Sequence, residues 1–224
     1  MTSPLPLLFI FTFLGSFLHA RLETDSCTGN LNLNAPIPFD TTNLHCLSVW
    51  DAQGFILRVG APFSNFITYI SIFQYHHIYK EFMFIVLQYV QTSANIWSFI
   101  LSTPDTNSYI AMGFSASGSM VGSSAIVGWV ASRGASGGIK QYYLGGFTPN
   151  QVVPDKGNLQ IRGNSTFISL QSSRLYLVIQ LETTEPLSWL IFATGSTGLF
   201  PAAPNYALTK HLDKFSTRID YSKG

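Results

Sequence analysis

Charge is what this sequence has least of. Only 10% of its 224 residues are Asp, Glu, Lys or Arg, against about a quarter in an average soluble domain. The 12 Lys and Arg nearly balance the 11 Asp and Glu and leave a formal charge of +1. No basic field therefore exists to concentrate phosphates, and nucleic acid is excluded as a partner. With 46% hydrophobic residues, a disordered chain or an acidic tail is excluded as well. The length allows one ordinary domain whose core needs no metal staple. Catalytic signatures are missing too: the chain has no Walker A motif, no dinucleotide fingerprint, no H-E-x-x-H and no carboxylate cluster for acid/base work. Residues 134–138 (GASGG) fit G-x-S-x-G, but a nucleophile elbow needs a helix after the serine. The IKQYY that follows reads as a strand, so the motif reads as a glycine-rich turn.

What the chain does have begins with an apolar run at residues 7–14 (LLFIFTFL), followed by Gly15, Ser16 and the small Ala20. This pattern predicts a signal peptide over residues 1–20. A membrane anchor needs about 20 apolar residues, and Gly15, Ser16 and His19 interrupt the run sooner. A mature chain starting near Arg21 folds in an oxidising compartment. There Cys27 and Cys46, the two cysteines of the sequence, are expected to pair and close an N-terminal segment at residues 21–52. Such a loop stabilises by about 3 kcal/mol in the chain-entropy model. A metal site there would need more ligands than His45. Asn164, in the sequon Asn164-Ser165-Thr166, is a glycosylation acceptor in a secreted chain.

Beyond the cysteines the sequence reads as short strands at residues 96–101, 109–114, 124–130, 139–144, 167–170, 175–181 and 187–193, separated by Pro, Gly and Ser turns. Their spacing, with no long 3.6-residue periodicity, predicts an all-β fold, an antiparallel β-sandwich. The sandwich is expected over residues 53–197, with a C-terminal segment at 198–224. One stretch interrupts the pattern. In residues 59–88, 16 of 30 positions are Phe, Ile, Tyr, Asn, Lys or Met, whose codons are rich in A and T. Without it, Phe55-Ile56-Leu57-Arg58 runs into Tyr89-Val90-Gln91 as one strand. Val codons begin GT and Gln can be CAG, the boundary letters of an intron. Residues 59–88 are therefore read as a translated retained intron, with a natural loop insertion as the alternative. Residues 85–91 are expected to take over the strand, with 55–58 pairing elsewhere or fraying and apolar residues such as Phe63, Phe66 and Ile67 leaving the product aggregation-prone.

Scarcity narrows the candidate site. Outside the signal and the insertion, the histidines are His45 and His211 and the methionines Met112 and Met120. One Met and one His suffice for the two axial positions of a b-type haem. Met112, between Ile110 and Phe114, reads as core; Met120 sits in GSMVGS, among residues small enough to let a flat macrocycle approach.

Residues 108–115 (SYIAMGFS) and 118–129 (GSMVGSSAIVGW), together with residues 30–50, 91–99 and 141–155 (QYYLGGFTPNQVVPD), resemble a DOMON domain of the plant cytochrome b561 and DOMON domain-containing protein family. The likeness covers residues 27–224 apart from 59–88. It implies an extracytoplasmic sandwich, secreted or at the extracellular face of the plasma membrane. In haem-binding members haem b lies between a Met ahead of a Gly-Ser pair, which matches Met120, and a late His, which matches His211. Full-length relatives continue into a transmembrane cytochrome b561 module that carries electrons from ascorbate, and this chain stops before such a module. With both axial positions filled, the iron suits one-electron transfer, so the chain reads as an electron carrier more than a catalyst. Its expected partners are ascorbate or another small reductant and a membrane cytochrome. The alternatives are a redox-silent DOMON module holding a carbohydrate or other small ligand, and a non-functional splice product.

Overall fold

In the computed structural model, the alternating apolar runs form two antiparallel sheets packed face to face. The structure describes residues 27, 31, 33–42, 44–50, 55–60, 89–93, 95–104, 106–131 and 137–223. The expected signal peptide, residues 132–136 of the glycine-rich turn, and residues 61–88 of the insertion lie outside them.

Twelve strands run through the described residues: β1 (His45–Trp50), β2 (Phe55–Gly60), β3 (Tyr89–Ser93), β4 (Ile96–Thr103), β5 (Ile110–Ser115), β6 (Ser123–Trp129), β7 (Gly138–Leu144), β8 (Val152–Pro154), β9 (Phe167–Gln171), β10 (Arg174–Glu182), β11 (Trp189–Thr194) and β12 (Asp213–Arg218). The first sheet has the order β1-β2-β4-β10-β9, with β3 also on β4, and the second the order β12-β11-β5-β6-β7-β8. The expected antiparallel β-sandwich is thus what the chain forms. β1 falls within residues 21–52 and β12 within 198–224, and both are integral strands of the sheets.

Period-two alternation sends Phe99 and Leu101 of β4, Leu177 and Ile179 of β10, Met112 and Phe114 of β5, and Leu190 and Phe192 of β11 into the space between the sheets. Phe99 and Phe114 meet edge to face across it at 5.3 Å. Met112 is fully buried in this core, as its position between Ile110 and Phe114 implies.

Each sheet's outer face is also covered. Ile100, Tyr176 and Val178 of the first sheet are roofed by Leu33 and Leu44 of the N-terminal segment, with Ile37 and Phe39 against them. Cys27 and Cys46 are joined, with Cα atoms 5.6 Å apart, and this bond ties the roof to β1. The expected pairing is present.

One expectation is corrected. Residues 55–58 neither fray nor pair elsewhere, because β2 is inserted between β1 and β4, with Leu57 opposite both Leu47 and Leu101. The physical reason is locality: β1 precedes β2 by a few residues and supplies five paired positions, while Leu57 and Val59 bury completely in the core. β3 is formed from Tyr89. The proposed substitutes, residues 85–88, lie outside the described residues, as do Phe63, Phe66 and Ile67.

Candidate functional site

The outer face of the second sheet carries a patch of unusually small side chains. Gly113 lies opposite Ala125 on one side and Ile191 on the other, while Ala111 lies opposite Val127 and Ala193. Four neighbouring positions from three strands, Ala111, Gly113, Ala125 and Ala193, therefore present a methyl group or less. Larger apolar residues surround them: Tyr109, Val127, Trp129, Tyr142, Leu144 and Ile191, with Met120, Phe200, Tyr206 and Leu208 packed against the same cluster.

Met120 enters from one end. It sits in the turn between β5 and β6, and that turn is pinned. Ser115 and Ser123 both donate their hydroxyls to the carbonyl of Ser119, each at 2.7 Å. Ser123 N–H donates to the Met120 carbonyl at 3.1 Å, and Gly122 N–H to Leu144 at 2.8 Å. Gly118 and Gly122 take φ of +79° and +86°, a region that residues with a Cβ enter only at a cost. Gly118 has a second constraint, because a Cβ there would lie 2.8 Å from the Trp189 ring.

His211 lies on the segment at the other end. The chain leaves β11 at Thr194, crosses the outer face and returns as β12. Two tyrosine hydroxyls hold the crossing in place: Tyr142 donates to the Tyr206 carbonyl at 2.8 Å and Tyr109 to the Thr209 carbonyl at 3.0 Å. Beside His211, Leu212 N–H donates to the Thr194 carbonyl at 2.8 Å. Lys140 adds a brace, bonded to both carboxylate oxygens of Asp155 at 2.8 and 2.7 Å and placed 4.4 Å over the Tyr206 ring.

Since Ser115 heads the Met120 turn and Ile110 pairs with Thr194, the two segments flank opposite ends of β5. Six strand residues separate those ends by ~17 Å. Both segments fold back onto the face between, as Met120 and Leu208 pack in one cluster. Met120 and His211 are both half-buried.

The electrostatics suit a neutral imidazole. Partial burial, followed by the charges of Lys214 and Lys210, holds His211 below the usual histidine range. Burial also pushes Tyr109 up to about 12 and Tyr142 higher still, with Asp155 adding to the latter, so both remain donors. Among the described residues no group of three or more His, Cys, Asp or Glu could hold a metal ion, which a Met–His pair on haem iron does not require. His45 opens β1 of the first sheet, away from this face. Asn164 is exposed in a 3₁₀ turn, Gly163–Ser165. A separate open groove of about 460 Å³, lined by Gly122, Ser124, Tyr143, Val153, Lys156, Gly157 and Asn158, includes neither Met120 nor His211.

Sequence reasoning singled out Met120 and His211 as candidates and missed the serine clamp and the tyrosine tethers around them. A signal existed in the serines spaced five before and three after Met120.

No family model matches the chain. It is 39% identical over 219 residues to an Arabidopsis thaliana protein described as a cytochrome b561 and DOMON domain-containing protein, covering 97% of this chain and 51% of that protein. A second Arabidopsis thaliana protein of the same description is 36% identical over 138 residues, covering 62% of this chain and 34% of its own length. The chain thus spans about half the length, or less, of the curated relatives it matches. Among solved structures, the cytochrome b domain of pyranose dehydrogenase from Coprinopsis cinerea is similar, with TM-score 0.44 and 17% identity over 58% of this chain and 69% of that one. No helix among the described residues is long and apolar enough to cross a membrane.

Proposed function

Because the chain belongs with the cytochrome b561 and DOMON domain-containing proteins over 97% of its length, we propose that it is an extracytoplasmic b-type haem domain for one-electron transfer. Met120 and His211 would hold haem b, whose chemistry would be one-electron transfer from ascorbate or another small reductant to a membrane cytochrome.

The observation that carries this reading is the four-residue patch of Ala111, Gly113, Ala125 and Ala193, with a Met-bearing turn at one end and a His-bearing segment at the other. Haem would need an apolar surface with little bulk and one ligand from each side, and of the residues around the patch Ile191 is the one whose side chain lies over Gly113. The donor set fits as well. A thioether and a neutral imidazole suit haem iron, and the lowered pKa of His211 keeps its nitrogen available. When bound, haem would supply reversible one-electron chemistry, with Met120 and His211 as the residues that would hold it.

The chain's own residues do the rest. The Ser115 and Ser123 hydroxyls fix the turn that aims Met120, and the Tyr109 and Tyr142 hydroxyls fix the crossing that aims His211. Phe200, Tyr206 and Leu208 cover the face and keep it apolar, which favours the ferrous state. The disulfide supports an oxidising compartment, secreted or at the extracellular face of the plasma membrane, where Asn164 is accessible for glycosylation.

Titration of the full chain with haemin tests this. A low-spin, six-coordinate spectrum is expected, lost in His211→Ala and in Met120→Ala and kept in His45→Ala. A six-coordinate spectrum surviving in His211→Ala overturns the ligand assignment. No haem uptake at all overturns the function in favour of a redox-silent ligand-binding module.

A further inference from the structure

We infer that β2 and β3 are two pieces of one strand, split by a 30-residue insertion that leaves the register of the sheet untouched, and that the intact chain holds two pairings in competition for one stretch of β4. The argument rests on which residue faces which. Ile56, Leu57 and Arg58 lie opposite Ser102, Leu101 and Ile100. The next positions down β4, namely Phe99, Ser98 and Trp97, lie opposite Tyr89, Val90 and Gln91. Partnership can pass from Arg58 to Tyr89 with no position of β4 skipped, although Val59 and Gly60 pair with the same Phe99 and Ser98. β10 is paired along all of β4 on its other side, so β2 and β3 share the one remaining edge. Residues 59–88 can therefore be removed on paper with the β4 partners of residues 56–58 and 89–91 conserved, the pairs lost being those of Val59 and Gly60, one of them with His45 of β1.

An insertion at an arbitrary point has no reason to produce this match. A slip of a single residue turns every following side chain to the opposite face of the sheet. The edge at the junction is also claimed twice, since Val59 and Gly60 are paired with Phe99 and Ser98, the partners of Tyr89 and Val90. One backbone edge cannot satisfy both. A shorter chain without residues 59–88 carries the same sandwich on an uninterrupted strand, free of the competition and of the entropy of closing the long connection.

Three deletions read the register. Removing residues 59–88 is expected to give a folded chain with the Cys27–Cys46 bond intact and a melting midpoint several degrees above that of the intact protein. Removing 59–87 or 59–89 puts the following residues out of phase and is expected to lower the midpoint or abolish folding. The inference is overturned if the 59–88 deletion fails to fold, melts no higher than the intact chain, or is matched by either neighbour. In the intact chain, engineered disulfides read the competition. Ser98→Cys with Val90→Cys, and Ser98→Cys with Gly60→Cys, are each expected to close incompletely. Full closure of one pair with none of the other overturns the competing pairings.

Discussion

Ser115 and Ser123, the last residue of β5 and the first of β6, donate to one and the same acceptor, the carbonyl of Ser119, each at 2.7 Å. Both are nearly buried, with 2% and 4% of their surface exposed. The pair converts a glycine-flanked loop into a defined platform for Met120. Replacing either serine by Ala leaves the carbonyl one donor and is expected to cost about 1 kcal/mol. Replacing both strips it, so the double variant is expected to lose more than the sum of the singles. Urea denaturation of the four members of the cycle checks this, and strict additivity would show that the two hydroxyls act independently.

The two positive-φ glycines of that turn are not equivalent. An Ala at Gly122 meets nothing within 4 Å, whereas at Gly118 it meets the Trp189 ring at 2.8 Å. Gly122→Ala is expected to cost only the backbone strain of about 1 kcal/mol, and Gly118→Ala that strain plus a steric clash. Thermal melts should rank Gly118→Ala clearly below Gly122→Ala; the reverse order would contradict the packing of Trp189 under the turn.

His211 predicts a pH dependence with a definite sign. Burial and the nearby Lys214 and Lys210 lower its folded pKa, partly opposed by Asp213 and a backbone hydrogen bond. The folded chain then binds fewer protons than the unfolded chain between the two pKa values, so stability rises with pH across that window. The contribution is fully present above the unfolded value near 6.5 and is lost as pH falls toward the lower folded one. Denaturation of the haem-free chain between pH 7.5 and 5 is expected to show this decline, shallower in His211→Asn. An unchanged slope in that variant would assign the decline to another group.

The Cys27–Cys46 bond spans 19 residues and tethers the segment that covers Ile100, Tyr176 and Val178. Replacing both cysteines with Ser is expected to cost about 3 kcal/mol and to expose that face to an apolar dye. The second sheet's outer face, with its own covering segment, should be unaffected, so Met120 and His211 variants should behave alike with and without the bond. Loss of haem uptake in the Ser variant would show that the two faces are coupled.

How legible each element was depended on its burial. The runs that became β4, β5, β6 and β10 are nearly continuously apolar because both their faces are covered, while β7, β9 and β11, less fully buried, were legible from their apolar and aromatic content between turn residues. β12 (DKFSTR) escaped detection because it is an edge strand whose Phe215 is itself exposed. β8 is three residues long and ends in Pro154, below any periodic signal. Of the candidate site, Met120 and His211 were chosen by their rarity in the sequence. The small-residue patch did not stand out, since Ala111, Ala125 and Ala193 are unremarkable apart and become neighbours only through the registers of β5 with β6 and β11. The persistence of residues 55–58 in the sheet was missed because the sequence argument weighed the junction with Tyr89 and not the preceding hairpin partner β1.

The second sheet begins and ends with strands that resist extension. At one border β12 presents Asp213, Lys214 and Arg218 along its length, so an incoming strand would have to desolvate charges of both signs to dock. At the other, β8 offers three residues, the last a proline with no amide hydrogen to give. The outer face against which Met120 packs is therefore bounded by two margins that disfavour strand addition.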